Sequence, residues 1–349
     1  MGRFVRINSM TTKLLDIMKY KMPFILLTAG LMLLSVQSCK SMEAEAVAQN
    51  NDITKKVEIK NSFRGVSASS AFDISYTVNN SSPVAVMEGP QELISDAVVE
   101  VQNGLLTFSL KNNVSRRTIS KRIAVTLNGP SLSIYKMSVS ATITVLSEIS
   151  NKENMDIDVS SAGKVTFRKD VTTQGNINIS GSSSGEVTFL NMKAAKDMDV
   201  KLKSSASFTG NTVRVSDLTA SCSSAAEIEI TLLNSKTGNF SSSSSADIKI
   251  TKMITPKVRL NSSSAGDIKI ESLEASGINA VSSSGGDIKI WTAKSDAANL
   301  VTSSGGFVKV GGNIKTVAAS ASSGGDIDIR GVKSSNMSKS KSSGGRIVD

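Results

Sequence analysis

The chain has 349 residues, with 40 Lys and Arg against 30 Asp and Glu, a formal net charge of +10 and no His. Without His there are no Ser-His-Asp or Cys-His triads, no imidazole acid-base chemistry and no His metal sites. Aromatic residues make up 4% of the chain, too few for a platform that stacks sugars or single-stranded nucleic acid, and no basic run forms a nucleic-acid footprint.

The N-terminus reads as an export signal. Lys13, Lys19 and Lys21 precede an apolar run from Met22 to Val36, which is short for a membrane-spanning helix and suits a signal peptide. Met10, Met18 and Met22 precede or open this run, so translation can start later than Met1. Leu34-Ser35-Val36-Gln37-Ser38 then leads into Cys39, a series that resembles a bacterial lipobox, with Gln37 departing from its tightest form. On this reading residues 1–38 are a lipoprotein signal peptide and the Cys39 thiol is acylated. The lipid then anchors the exported chain in the cell envelope, at the outer membrane. The alternative is a plain secretory signal with an incidental Cys. Cys222 is the only other cysteine, so no disulfide is expected in the mature chain. Residues 39–56 are polar and aperiodic, as a tether between lipid and fold would be.

Residues 57–130 alternate like ordinary β-strands, as in Phe72-Asp73-Ile74-Ser75-Tyr76-Thr77-Val78 and Gly104-Leu105-Leu106-Thr107-Phe108-Ser109-Leu110. Residues 90–97 suit one short helical turn. A solenoid needs a terminal cap over its first coil, and this segment is the natural N-terminal β cap.

From residue 131 to 349 a motif recurs, Ser-Ser-small-small-x-Ile-x-Ile, clearest at Ser263 to Ile270 and Ser283 to Ile290. Its fourth position marks 163, 185, 207, 226, 246, 266, 286, 306, 325 and 345, a period of 19 to 22 residues. A βαβ unit needs about 30 residues, so two or three short strands per coil of a β-solenoid are implied. The fold class is all-β. Ile248, Ile268, Ile288, Val308, Ile327 and Ile347 form one inward column, Ile250, Ile270, Ile290, Val310 and Ile329 a second, and Phe240, Leu260, Ala280, Leu300 and Ala319 a third. Continued alternation turns Ser262 and Ser264 inward, predicting an interior column of Ser244, Ser264, Ser284, Ser304, Ser323 and Ser343 with a structural role, since a hydroxyl without a base is unreactive. Ala226 and Ala246 stand where Gly266 stands, so positive φ is not expected to be obligatory at that corner.

Outward positions would carry any chemistry. Asp247, Asp267 and Asp287 stack beside Lys249, Lys269 and Lys289. Coils about 4.8 Å apart bring neighbouring carboxylates near the spacing of a retaining glycosidase pair. Every coil carries the pair and a flat face makes no pocket, so a solvated ion-paired surface ladder is expected in place of a catalytic or calcium site. No catalytic residue, cofactor or metal is assigned. Phe307 interrupts the Asp column and is placed near Trp291 in a small exposed aromatic spot. Lys339, Lys341 and Arg346 concentrate charge on the last coil, an edge device that favours a monomer or small closed homo-oligomer over a fibre.

Phe63-Arg64-Gly65-Val66, Phe72-Asp73-Ile74 and the Ser-Ser-Gly-Gly-Asp-Ile-Lys-Ile coils resemble the GIN-domain family, the head domain of auto-transporter adhesins, over residues 57 to 349. The resemblance implies a right-handed single-stranded β-helix and brings no catalytic residues. Earlier coils depart from it with Ala225 and Ala226 in place of Gly, and the coil at Ser204 is shortened. The resulting expectation is a lipid-anchored envelope β-helix with a structural or adhesive role and a glycan or protein ligand on its outer face. A polysaccharide lyase or hydrolase on the same scaffold and a self-assembling envelope scaffold are the alternatives. Nucleic acid is not an expected partner.

Overall fold

A computed structural model describes residues 51–111 and 121–349. The expected signal peptide, Cys39 and the tether up to residue 50 lie outside the described residues. The strand β1 (Asp52–Glu58) already pairs along its whole length, so residues 52–56 of the expected tether are sheet.

The first strands enter the stack out of sequence order. β2 (Gly65–Ser69) and β3 (Phe72–Val78) make one coil, followed in the chain by β4 (Val84–Pro90), the six-residue helix α1 (Gln91–Asp96), β5 (Ala97–Gln102), β6 (Leu105–Leu110), β7 (Ile123–Gly129), β8 (Ile134–Ser138) and β9 (Thr142–Val145). β2 pairs in parallel with both β6 and β8, and β3 with both β7 and β9, so the coil at 65–78 lies between the coil at 105–129 and that at 134–145. The outermost coil is therefore β6 with β7. Its free edges are covered antiparallel by β5 and β4, and β1 in turn covers β4. Exposed edges template strand pairing, and here the chain closes its own. Asp73 ties three neighbouring coils together: it accepts from Arg122 Nη2 and Thr142 Oγ1, both at 2.6 Å. Burial opposes ionisation of Asp73, and the bonds from Arg122 and Thr142 outweigh it, holding the carboxyl below its ordinary value.

From β8 onward the coils stack in order as a parallel β-solenoid. A typical coil has strand Asp247–Ile254, bent at residue 251 into a first face and a second face, then strand Lys257–Ser262 as a third face. Each residue sits over its counterpart about one period later, as Ile248 over Ile268 and Leu260 over Ala280. All three predicted apolar columns run in register and are buried. Earlier coils are longer and are filled by aromatic rings, with Tyr135 against Phe167 at 5.1 Å and Phe189 against Phe208 at 4.7 Å. Later coils of 20 residues close mainly on Ile, Val, Leu and Ala, with Phe240 still among them. Interiors pack at crystal-like density, so a wider coil calls for larger side chains.

The corners differ from expectation in two ways. The two residues ahead of the marker are both left-handed, as with Ser264 at φ 49° and Ala265 at φ 59°, and the Gly266 amide closes the turn on the Ser263 carbonyl at 2.9 Å. Positive φ is thus needed at the two positions ahead of the marker, in the manner of a type I′ turn, where Ser and Ala stand as well as Gly, and not at the marker itself, where Ala226, Ala246 and Gly266 lie outside the left-handed region as the Gly-to-Ala exchange there implied. The left-handed pair also breaks the in-out alternation. Ser264 is exposed, and the interior column is Ser242, Ser262, Ser282 and Thr302, one alternation earlier, continuing from Cys222. Ser242 Oγ donates to the Ala246 carbonyl at 2.6 Å, and Ser262 and Ser282 make the equivalent bonds to Gly266 and Gly286, so these hydroxyls brace the turn from inside. The second difference is one of register: Ala206, not Ser207, sits in line with Gly185 and Ala226, because Ser204 and Ser205 are the left-handed pair. The steps there are 21 and 20 residues, so that coil is not shortened relative to those that follow it.

Candidate functional site

On the first face the predicted Asp and Lys side chains point outward and pair. Lys269 Nζ lies 2.6 Å from Asp267 Oδ2 and 3.6 Å from Asp247 Oδ1, bridging two coils, and Lys289 binds Asp287 at 2.6 Å. Lys249 donates to Glu227 at 2.6 Å and lies 3.8 Å from Asp247. The hydrogen bond to Glu227 raises the Lys249 pKa, and that to Asp267 raises the Lys269 pKa, burial opposing in each case. In the coil after Lys309 the lysine column reverses sign at Asp328, which is gripped by Arg330 at 2.8 Å and has Lys309 at 3.8 Å. The Arg330 hydrogen bonds hold the Asp328 carboxyl at about 2, against burial. Between Asp247 and Asp267 the spacing suggested by a retaining glycosidase is therefore filled by the Lys269 ammonium.

Phe307 and Trp291 do not meet. Phe307 pairs in register with Asp287 and lies 5.7 Å beneath Lys289 Nζ. Trp291 is four residues further along the strand, about 13 Å at the usual rise, and stands half exposed at the bend between first and second faces. Cys222 is buried, and burial pushes its thiol up to about 12, away from thiolate chemistry at neutral pH. Among the described residues no group of three His, Cys, Asp or Glu is placed to hold a metal ion.

The third face is different. Its outward columns are Thr237, Lys257, Gly277, Ala297, Thr316 and Asn239, Arg259, Asn279, Asn299, Ala318. They line a shallow groove of about 600 Å³. Segments 237–242, 257–262, 277–282, 297–302 and 316–321 hold no Asp or Glu, and among the described residues neither Lys257 nor Arg259 has an ion-pair partner. Asn299 Nδ2 donates to Asn279 Oδ1 at 3.3 Å, leaving the Asn279 amide protons and the Asn299 carbonyl free for another partner. A second groove, about 760 Å³, follows the corner between second and third faces, but four of its five rim charges are paired, Lys315 with Asp296 at 2.6 Å and Lys294 with Glu274 at 3.3 Å, which leaves Lys333. Sequence reasoning centred on the repeated columns passed over Lys257 and Arg259. The available signal was a strand with two cations inside a five-coil face without acids.

The chain matches the family described as "Putative auto-transporter adhesin, head GIN domain" over residues 62–253 and 253–348. Similar solved structures include a putative adhesin from Parabacteroides distasonis, 14% identical with TM-score 0.44, covering 84% of this chain and 98% of that one. A putative adhesin from Parabacteroides merdae is 14% identical with TM-score 0.45 and coverage of 83% and 95%. A putative lipid binding protein from Parabacteroides distasonis is 15% identical with TM-score 0.32 and coverage of 86% and 98%. No curated protein matches the sequence. With the family's description matched from Ser62 through the last coil, on a stack of in-register Ser-Ser-Gly-Gly-Asp-Ile-Lys-Ile turns, this chain belongs to the GIN-domain family.

Proposed function

We propose that the protein is a lipid-anchored component of the cell envelope that works by adhesion, without catalysis. The observation that carries this reading is the first face: Asp247, Asp267 and Asp287 are each engaged by a lysine on an open, flat surface. A general acid must hold a proton and a nucleophile must reach a bound substrate, and a carboxylate locked to an ammonium on a flat strand does neither. What a stiff stack of about 20 residues per coil offers instead is a long surface with side chains at fixed intervals, held off the membrane by a tether behind Cys39. The family description, with its adhesin head, supports the same reading. The test compares cells that display the full chain, cells that lack it, and cells with Cys39→Ala, scoring membrane association and attachment to glycan- and protein-coated surfaces. Attachment is expected only with the chain, and Cys39→Ala is expected to release it into the soluble fraction. Equal attachment with and without the chain would overturn adhesion, and unchanged membrane association of Cys39→Ala would overturn the anchor.

A further inference from the structure

The groove on the third face is built unlike the first face. On the first face the cations of four successive coils, Lys249, Lys269, Lys289 and Lys309, are all within ion-pair distance of a carboxylate. On the third face Lys257 and Arg259 share one strand, point the same way at alternate positions, and have no carboxylate on the neighbouring strand below or on the three strands above; Asp217, two coils below in the Lys257 column, accepts a hydrogen bond from Thr237. Arg259 lies in register between Asn239 and Asn279, with Asn299 next in the column. Beside Lys257 the column falls to Gly277 and Ala297, so the floor next to the two cations is flat and free of bulk. A Cβ added at Gly277 would meet nothing within 4 Å, which makes the space open to a ligand.

We infer that this groove binds an acidic oligosaccharide laid along the stack, its carboxylate on Arg259 and Lys257 and its hydroxyl groups on the amides of Asn279 and Asn299. The planar guanidinium matches a carboxylate with two parallel hydrogen bonds, and Lys257 adds a second positive charge without a competing acid. Each carboxamide offers both donor and acceptor, which suits a hydroxyl that does both. Amides in successive coils recur about every 4.8 Å, so a chain of repeating rings meets repeating partners. The volume, about 600 Å³, lies within the range of small-ligand sites. An acidic peptide would offer backbone amides to the column but not the hydroxyls that recur on every ring of a sugar, each able to use a carboxamide as donor and acceptor. This inference rests on the adhesive reading above and supplies the ligand class for it.

The experiment uses the full chain and four-residue galacturonate oligomers, with the fully methyl-esterified oligomer as the neutral reference and a sulfated oligosaccharide of equal length as the second anion. Binding is read by calorimetry at two salt concentrations. The acid oligomer is expected to bind, the neutral one at least tenfold more weakly, and the sulfated one more weakly than the carboxylate. Arg259→Gln is expected to lose about tenfold or more and Asn299→Ala severalfold, while Lys269→Gln on the first face binds as the unaltered chain does. Equal binding of acid and neutral oligomers, equal or tighter binding of the sulfated one, or equal losses in Arg259→Gln and Lys269→Gln would each overturn the inference. Beads carrying the chain are tested for attachment in parallel: attachment without oligomer binding removes the ligand class and leaves adhesion standing, whereas no attachment at all removes both.

Discussion

The first and third faces of the coils are built on the same backbone repeat and behave differently on both sides of the sheet. Beneath the first face the columns hold Ile or Val at nearly every coil; beneath the third the column runs Phe240, Leu260, Ala280, Leu300, Ala319, mixing large and small residues. Above the first face the charges repeat and neutralise one another, and above the third they change from coil to coil and leave Lys257 and Arg259 unpaired. A uniform column lets every coil make the same contact with its neighbour, which is what a one-dimensional stack needs for cohesion. A varied column gives up that uniformity and gains a surface specific to one height of the stack. Regularity therefore marks the face that holds the molecule together, and irregularity the face that can recognise something.

The largest effects should come from testing the interiors of these faces. Ile268→Ala opens a void in a column with no slack and should cost about 2–5 kcal/mol. Ala280→Leu inserts bulk between Leu260 and Leu300 and should cost about 1–3 kcal/mol, whereas Val308→Ile in the uniform column should be tolerated within about 1.5 kcal/mol. Urea midpoints of the three variants measure this. An Ala280→Leu variant as stable as the unaltered chain would mean that the small residue between Leu260 and Leu300 is not demanded by packing.

The uniform interior was legible before the structure, because in-register parallel stacking places a residue over its own counterpart every 20 positions and the sequence repeats with it. The corner was not. Alternation predicts Ser264 inward, but that rule assumes extended backbone, and two consecutive left-handed residues turn Ser264 out before the alternation resumes at Gly266 and Ile268. The order of the first coils was equally hidden, since Gly65 pairs with Ile134 across 69 residues and no local pattern encodes such a pairing. On the outside, the ladder residues were found because they repeat. Lys257 and Arg259 were missed because they do not.

Next in size is the sign reversal within the first face. The Asp328 carboxyl is held at about 2, below its ordinary 3.8. A depressed folded value means the group binds its proton less readily in the native state, so its stabilisation is complete above pH 3.8 and is lost as pH falls through about 2. The linked contribution is roughly 2 kcal/mol. Asp328→Asn should therefore lower stability at neutral pH and flatten the acid limb of the stability profile between pH 4 and 2, measured as denaturation midpoint against pH. An acid limb of unchanged slope would mean that Arg330 and Lys309 do not hold this carboxylate in solution.

The smallest effect sets the two faces against each other directly. Lys269→Met keeps most of the aliphatic stem but removes the charge that bridges Asp247 and Asp267, leaving two like charges on adjacent strands. Exposed pairs are worth little, so the expected cost is about 0.5–1 kcal/mol, and it should shrink as added salt screens the repulsion. Arg259→Met removes a cation that has no acid to release, and its stability should stay within about 0.5 kcal/mol of the unaltered chain at any salt concentration. Paired denaturation curves at low and high salt decide between them. If Arg259→Met loses as much as Lys269→Met, with the same salt dependence, Arg259 has an electrostatic partner in the folded chain and the contrast between a cohesive face and a recognising face falls.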